Sequence, residues 1–267
     1  MSSITTDHGI LHYEVYGRGR PVILLHGWLG SVGLWLDTMI HIGKFYRVYS
    51  IDFWGFGESG QKLDTYAVPD FVDMVHQFMD SLGMISAPLV GHSMGGTVSL
   101  SFALKYPEQV QNVTVIGSPI DGSSLALLLK LAGYRFNAFL MFKFFGLFRA
   151  FMYYFYSRLI CKHPDFPKRM DDDLNQLSLE SFLVSIATLR RTDLRQSLNQ
   201  IQLPVMGMYG DKDLIVSPHQ WKPLLAGVPH ARIERFPKAG HFIMLDEPEN
   251  FRDVLKDFLD KEIPSTR

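Results

Sequence analysis

The sequence predicts an α/β protein with a mostly parallel central sheet flanked by helices and a helical segment inserted between two strands. Three observations carry this expectation. Short β-rich runs recur along the chain and alternate with windows of helical periodicity, the pattern of consecutive β-α-β units. One stretch, "PLVGHSMGGTVSLSFALKY" (88–106), passes from strand to helix through a serine bracketed by glycines. From Ile120 to about Gln200 no strand pattern occurs, only helix-compatible sequence too long to be a loop.

"GILHYEVYG" (9–17) alternates like an antiparallel strand and ends in a Gly-rich turn. "PVILLHG" (21–27) is a near-continuous apolar run, as expected of a strand buried on both faces. "YRVYSID" (46–52), "APLVGHS" (87–93), "VQNVTVIGSP" (110–119) and "LPVMGMYGD" (203–211) read the same way, and "ARIERFPKAG" (231–240) alternates like an edge strand. Between Tyr66 and Leu82, Val68, Phe71, Val72, Val75, Phe78, Met79 and Leu82 fall at helical spacing and predict an amphipathic helix. Further helices are expected over Thr97–Tyr106, stopped by Pro107, and over Ser217–Leu225 and Pro248–Leu259. The expected organisation is a core formed by 1–119 and 201–267 and a helical cap over 120–200.

At 267 residues, 47% apolar and 20% charged, the chain has the composition of a soluble globular protein able to bury a large core. A net charge of −1 gives no basic excess for nucleic acid. The single cysteine, Cys161, rules out an internal disulfide, suits a reducing compartment and reads as a small buried hydrophobe. "MSSITTDHGI" has neither a charged n-region nor an apolar h-region, so no signal peptide is expected. The most apolar region, Leu125–Ile160, is interrupted by Lys130, Arg135, Lys143, Arg149 and Arg158, which disfavours a spanning helix. The expectation is a cytoplasmic protein.

The glycines at 91 and 95, two residues either side of Ser93, allow the tight strand-to-helix turn that holds a nucleophilic serine clear of a sheet. A base is expected in "AGHFIMLDEPENF", where His241 follows the last strand and precedes the final helix. An acid is needed to fix the imidazole tautomer. "MYGDKDLIVSP" supplies Asp213, preferred because it lies deeper in the loop, with Asp211 and, after the preceding strand, Asp121 as rivals. A tetrahedral intermediate would need two backbone N–H donors. Met94, next after the serine, and Trp28 of "LLHGWLGS" are the candidates, and their side chains are expected to line the acyl pocket. His26 and Gly27 read as supports for that loop.

"HGWLG", "DFWGFGES", "GHSMGG", "YGDKDLIV" and "AGHF", taken in this order, resemble the α/β-hydrolase fold family in its serine-hydrolase (esterase- and lipase-like) branch. The resemblance covers about residues 9–119 and 203–262. It implies that Asp52 and Ser59, in the Asp-x-x-Gly-x-Gly-x-Ser turn, are structural, and that 120–200 is a cap. A serine at position 93 disfavours relatives with an aspartate nucleophile, the haloalkane dehalogenases and epoxide hydrolases. The leading expectation is hydrolysis of carboxylic esters of hydrophobic acyl or aromatic substrates, without metal or organic cofactor. Carbon–carbon bond hydrolysis of a vinylogous diketone and perhydrolysis stand as alternatives on the same triad. A ligand receptor that kept the fold is the alternative of another class.

The cap has an unusual composition. Eight of the 20 Phe lie between Phe136 and Phe155, and Phe136, Phe139, Phe142, Phe145, Phe148 and Phe151 recur every three residues. That spacing drifts around a helix and leaves no clean polar face, with Gly133 and Gly146 expected to break it into shorter helices. Between Leu125 and His163 there are six Lys or Arg and no Asp or Glu. Such a segment suits a greasy pocket over Ser93, peripheral contact with an anionic membrane surface, or an acidic carrier protein. "DDDLNQ" (171–176) reads as a solvated, helix-starting acidic run.

Overall fold

The computed structural model describes residues 2–60 and 66–262, so Met1 and 263–267, the ends of the expected core, lie outside the described residues. Eight strands form one sheet: β1 (Ser2–Thr6), β2 (Gly9–Gly17), β3 (Pro21–Leu25), β4 (Arg47–Ile51), β5 (Ala87–His92), β6 (Val110–Ile116), β7 (Val205–Gly210) and β8 (Arg232–Phe236). Their spatial order is β1-β2-β4-β3-β5-β6-β7-β8. β2 pairs antiparallel with β1 and β4, and every pairing from β4 across to β8 is parallel.

The apolar runs of β5 and β7 are buried at every residue, as strands covered on both faces must be. β8 forms the far edge, in keeping with its alternation. The other edge, β1, has no apolar run: Ser2–Thr6 is polar and alternates between half-buried and exposed, so its sequence carries little strand signal.

Three helices precede the insertion: α1 (Leu36–Ile42), α2 (Val68–Ser81) and α3 (Met94–Lys105). In α2 the expected apolar face, Val68, Phe71, Val72, Val75, Phe78 and Met79, is buried, while Leu82, the last residue expected on it, caps the helix half-buried. α1 has no matching sequence expectation, because Leu36 and Ile40 are exposed while Thr38 is buried, which blurs its periodicity.

Between β6 and β7 come α4 (Leu127–Ala132), α5 (Arg135–Lys143), α6 (Phe145–Phe151), a π-helical turn (Met152–Tyr156), α7 (Ser157–Ile160), α8 (Phe166–Asn175) and α9 (Leu179–Arg191). Two backbone hydrogen bonds, Leu194 N–H to Ile120 O at 3.0 Å and Gly122 N–H to Thr192 O at 2.8 Å, join the feet of this insertion. It therefore leaves and rejoins the core at one place. Gly133 caps α4, but Gly146 lies inside α6 and breaks nothing. The break falls at Phe144, whose φ of −112° and ψ of 42° end α5, and the helical run Phe145–Ile160 leaves at 92° to it. Among the described residues no single helix is long and apolar enough to cross a membrane. "DDDLNQ" does not start a helix; it closes α8, which begins at Phe166.

After β7 follow α10 (Trp221–Gly227), α11 (Ile243–Asp246) and α12 (Pro248–Glu262).

Candidate active site

β5 ends at His92 because Ser93 turns out of the strand, with φ 52° and ψ −116°. A non-glycine residue pays strain for that conformation. The strain is held by the Ser93 N–H, which donates to Ile116 O at 2.8 Å, and by α3 starting at once behind it. The flanking glycines are there for approach: a Cβ on Gly91 would lie 2.2 Å from Gly95 O, and one on Gly95 would lie 2.4 Å from Leu25 O.

Opposite the elbow, His241 Nδ1 lies 2.7 Å from Asp213 Oδ2, with His241, Asp213 and Ser93 all buried. The other carboxylate oxygen of Asp213 accepts the N–H groups of Ile215 (2.8 Å) and Val216 (2.9 Å), which fixes the acid's orientation. Asp211 instead takes Arg235 in a two-pronged contact. Asp121 caps a short turn through Ser123 N–H and accepts from Gln220 Nε2 at 3.3 Å. Of the three acids considered, only Asp213 meets the imidazole.

Gly117, at the end of β6, makes room for this pair. Its φ is +55°, and a Cβ there would lie 3.2 Å from His241 Nδ1 and 3.3 Å from Asp213 Oδ2. His92 also contributes, through an Nε2 3.0 Å from His241 O. The sequence motif contained His92 and Gly117 but gave neither a role.

The loop after β3 lies against the serine, since a Cβ on Gly27 would sit 3.0 Å from Ser93 Cβ. Burial lowers the pKa of His26, and its Nε2 is 3.0 Å from the Phe53 N–H. A neutral ring accepting at Nε2 carries its proton on Nδ1, which donates to Gly27 O at 2.7 Å. Gly30 N–H donates to the same oxygen at 3.1 Å. In a trans peptide the following N–H points opposite to the carbonyl, so pinning Gly27 O directs the Trp28 N–H away from His26. Met94 is the first residue of α3, and its N–H has no intrahelical acceptor. His26 and Gly27 thus behave as loop supports, as their sequence suggested.

Asp52 is structural as well. Its carboxylate accepts Val32 N–H (2.7 Å) and Glu58 N–H (2.9 Å), and His12 Nδ1 lies 2.7 Å away. Ser59 Oγ donates to Asp52 O at 2.7 Å. This knot ties β2, the Ser31–Trp35 turn and the glycine turn to the end of β4.

Ser93 and His241 open into a cavity between core and insertion with about 960 Å³ of atom-free space, its open mouth included. Trp28, Leu128, Phe148, Met152 and Phe182 are among its largely apolar walls. Trp28 lines it as expected; Met94 does not, because its side chain is fully buried beneath the elbow. Tyr156 also lines the cavity, and burial, with the charge of Asp213, pushes its hydroxyl up to about 12. Two charged side chains reach the wall, Arg169 and Asp173, one turn apart on α8. Arg169 Nη1 donates to Gly33 O at 3.2 Å. Burial raises the Asp173 carboxyl to about 7, so the reading of 171–176 as a solvated run fails at this residue. It fails at Asp171 too, which pairs with Arg149 at 2.7 and 2.8 Å. Cys161 is buried and its thiol is pushed up to about 12 by that burial, as befits a packing residue. Among the described residues no cluster of three or more His, Cys, Asp or Glu could hold a metal ion.

A strained serine at a strand–helix elbow, an acid–histidine pair and a glycine-bearing loop packed against the serine define the hydrolase class to which the fold also points. Residues 20–248 match the signature of the alpha/beta hydrolase fold family, and the chain belongs to that family. It is 29% identical over 269 aligned residues to a 2-hydroxy-6-oxo-6-phenylhexa-2,4-dienoate hydrolase of Burkholderia cepacia, covering 93% of this chain and 91% of that one. It is equally 29% identical to a 2-hydroxy-6-oxononadienedioate/2-hydroxy-6-oxononatrienedioate hydrolase of Comamonas testosteroni, with the same coverage. A thermophilic esterase from Thermogutta terrifontis has the same fold, with a TM-score of 0.85 at 21% identity over 98% of this chain and 99% of that one. Hydrolase activity is the common ground of these relatives.

Proposed function

We propose that the protein is a serine hydrolase that cleaves carboxylic esters of hydrophobic acyl or aromatic substrates through an acyl-enzyme. The observation that carries this reading is Ser93 and His241 opening together into an apolar cavity, with Asp213 behind the imidazole. Ser93 Oγ attacks the ester carbonyl and forms a bond to its carbon while His241 takes the hydroxyl proton. The carbonyl oxygen becomes an oxyanion in front of the Trp28 and Met94 N–H groups. His241 then returns the proton to the leaving alcohol as the C–O bond breaks. Water, deprotonated by His241, repeats the attack on the acyl-enzyme and frees the acid and Ser93.

A second reading is carbon–carbon bond hydrolysis of a vinylogous diketone. The dienoate hydrolases at 29% identity favour it, as does Arg169, a cation on a largely apolar wall that it shares with Asp173, where a substrate carboxylate could pair. One experiment separates the two. Fluorophosphonate labelling first establishes whether Ser93 is an activated nucleophile, with Ser93→Ala as the control. A panel of p-nitrophenyl esters is then run against 2-hydroxy-6-oxo-6-phenylhexa-2,4-dienoate. Turnover of esters with little on the dienoate supports the first reading; a kcat/KM for the dienoate exceeding that of every ester replaces it with the second. No labelling and no turnover of either would leave a binding protein.

A further inference from the structure

The outer side of the insertion carries an apolar surface that nothing among the described residues covers. On α5, Phe136, Phe139 and Leu140 fall at positions i, i+3 and i+4 and are all exposed, Phe136 to 70%. On the run from α6 through α7, Leu147, Phe151, Phe155 and Leu159 follow at intervals of four, exposed by 75, 45, 69 and 65%. The adjoining stripe of the same helices, one residue further along at each step and so about 100° around the axis, supplies Met141, Phe148, Met152, Tyr156 and Ile160 to the cavity. These helices are therefore apolar on two adjoining faces. A lid that met only water would turn polar residues outward, and contiguous exposed apolar patches mark interaction surfaces.

The charges carried by the segment itself share one sign, while the acids Asp171 and Asp172 lie on α8 beside Arg149. Arg135, Lys143 and Arg158 are exposed, Lys130 is half-buried, and no Asp or Glu occurs between Leu125 and His163. Arg149 differs, since Asp171 neutralises it from within the fold. A protein interface carries a polar, hydrogen-bonding rim. Here the segment's own charged side chains are all cations, and the Asn137 amide donates to Leu131 O. Geometry also fixes how lipid would be met. Arg135–Lys143 and Phe145–Ile160 are each shorter than the roughly 20 residues needed to span a bilayer, and they meet at 92°. Such a pair can lie in the headgroup region with its apolar stripe down and its cations among lipid phosphates.

We infer that the outer face of α5 to α7 is a peripheral docking surface for an anionic lipid bilayer. Because the inner face of the same helices walls the cavity, docking would bring the cavity close to lipid-dissolved substrate; that consequence alone rests on the hydrolase reading above.

The test is co-sedimentation with vesicles of phosphatidylcholine alone or mixed with phosphatidylglycerol, at low and high salt. It is run on Ser93→Ala, so that the outcome does not depend on turnover. The protein should bind the anionic vesicles, less tightly at high salt, and bind phosphatidylcholine weakly. Leu147→Asp/Phe155→Asp, both on exposed positions, should lower partitioning at least about tenfold. Arg135→Gln, Lys143→Gln and Arg158→Gln should each lower it about fivefold on anionic vesicles only, while Arg149→Gln leaves it unchanged. Retained circular dichroism and, in the Ser93 background, retained fluorophosphonate labelling show that each variant folds. Absence of binding to anionic vesicles at low salt would overturn the inference. So would a dimer in solution that the Leu147→Asp/Phe155→Asp variant dissociates while vesicle binding is absent, which would make a second copy the occupant.

Discussion

His92 Nε2 lies 3.0 Å from the carbonyl oxygen of His241, and the two imidazole rings are 4.6 Å apart. Burial, and then the nearby His241, push the pKa of His92 well below 6.5. The ring is neutral, and its Nε2–H donates. The residue before the elbow serine thus holds the backbone of the histidine that shares its cavity, from 149 positions away.

Losing that hydrogen bond should let His241 drift, and a displacement of about 1 Å at a reacting centre costs on the order of 10²-fold. His92→Ala is expected to lower kcat by roughly 10–100-fold while KM changes little. His92→Gln, which can still donate, should recover part of the rate. Equal losses in both variants would mean that His92 acts by filling space.

The acid can be assigned by comparing three substitutions. Asp213→Asn leaves the shape intact but lets the imidazole take the wrong tautomer, so kcat should fall by about 10⁴. Asp211→Asn disturbs a contact with Arg235, and Asp121→Asn a turn at the foot of the insertion. Steady-state kinetics on a p-nitrophenyl ester should show these two within about threefold of wild type. A crippling effect of Asp121→Asn would move the acid to the end of β6.

Gly117 tests how tightly that pair is housed. A Cβ at φ +55° is strained wherever it points, and this one would press within 3.2 and 3.3 Å on His241 Nδ1 and Asp213 Oδ2. Gly117→Ala should cost about 1 kcal/mol or more of stability, read as a lower Tm. It should also lower kcat at least about tenfold through the displaced imidazole. A normal kcat with only the Tm lowered would show that the pair can shift without harm.

Asp173 predicts a pH dependence of stability. Its carboxyl is raised from 3.8 to about 7, chiefly by burial; Asp52 and Asp172 add to the rise, while Ser31 and Arg169 oppose it. Between those values the folded state holds a proton that the unfolded state has released. This group's contribution therefore falls as pH rises from about 4 to about 7, and the penalty is complete above that. Asp173→Asn removes the titration. Its Tm should match wild type near pH 4 and exceed it by at least about 2–4 °C at pH 8. A Tm difference that did not change with pH would show that the carboxyl is not held neutral.

What the sequence disclosed and what it hid have a common physical basis. The turns that carry Ser93, Asp213 and His241 were legible because each is spelled out locally, by glycines or by the end of an apolar strand. His92 and Gly117 were hidden because their roles depend on His241, which folding alone brings to them. Asp173 looked solvated because nothing in "DDDLNQ" tells which side of α8 meets the cavity. The bend at Phe144 has no glycine or proline to mark it. The six-fold Phe repeat drifts around the helix as its spacing implied, but its sequence did not tell where each ring goes: to the cavity wall (Phe148), to packing against Phe182 (Phe142) and to the open face (Phe136 and Phe139).

The cavity walls make the final prediction. Leu128, Leu129, Phe148, Met152, Phe182 and Leu189 line it, and their chemistry rewards apolar length. Each methylene taken from water contributes at most about 0.8 kcal/mol, up to roughly fourfold in kcat/KM until the space is filled. In a series of p-nitrophenyl esters, kcat/KM should climb from acetate through the medium-chain acids and then level off. Phe148→Ala, which enlarges the wall, should shift the plateau to longer chains and leave acetate nearly unaffected. A flat series with an unshifted Phe148→Ala profile would mean that the acyl group lies elsewhere, with these walls facing the leaving group instead.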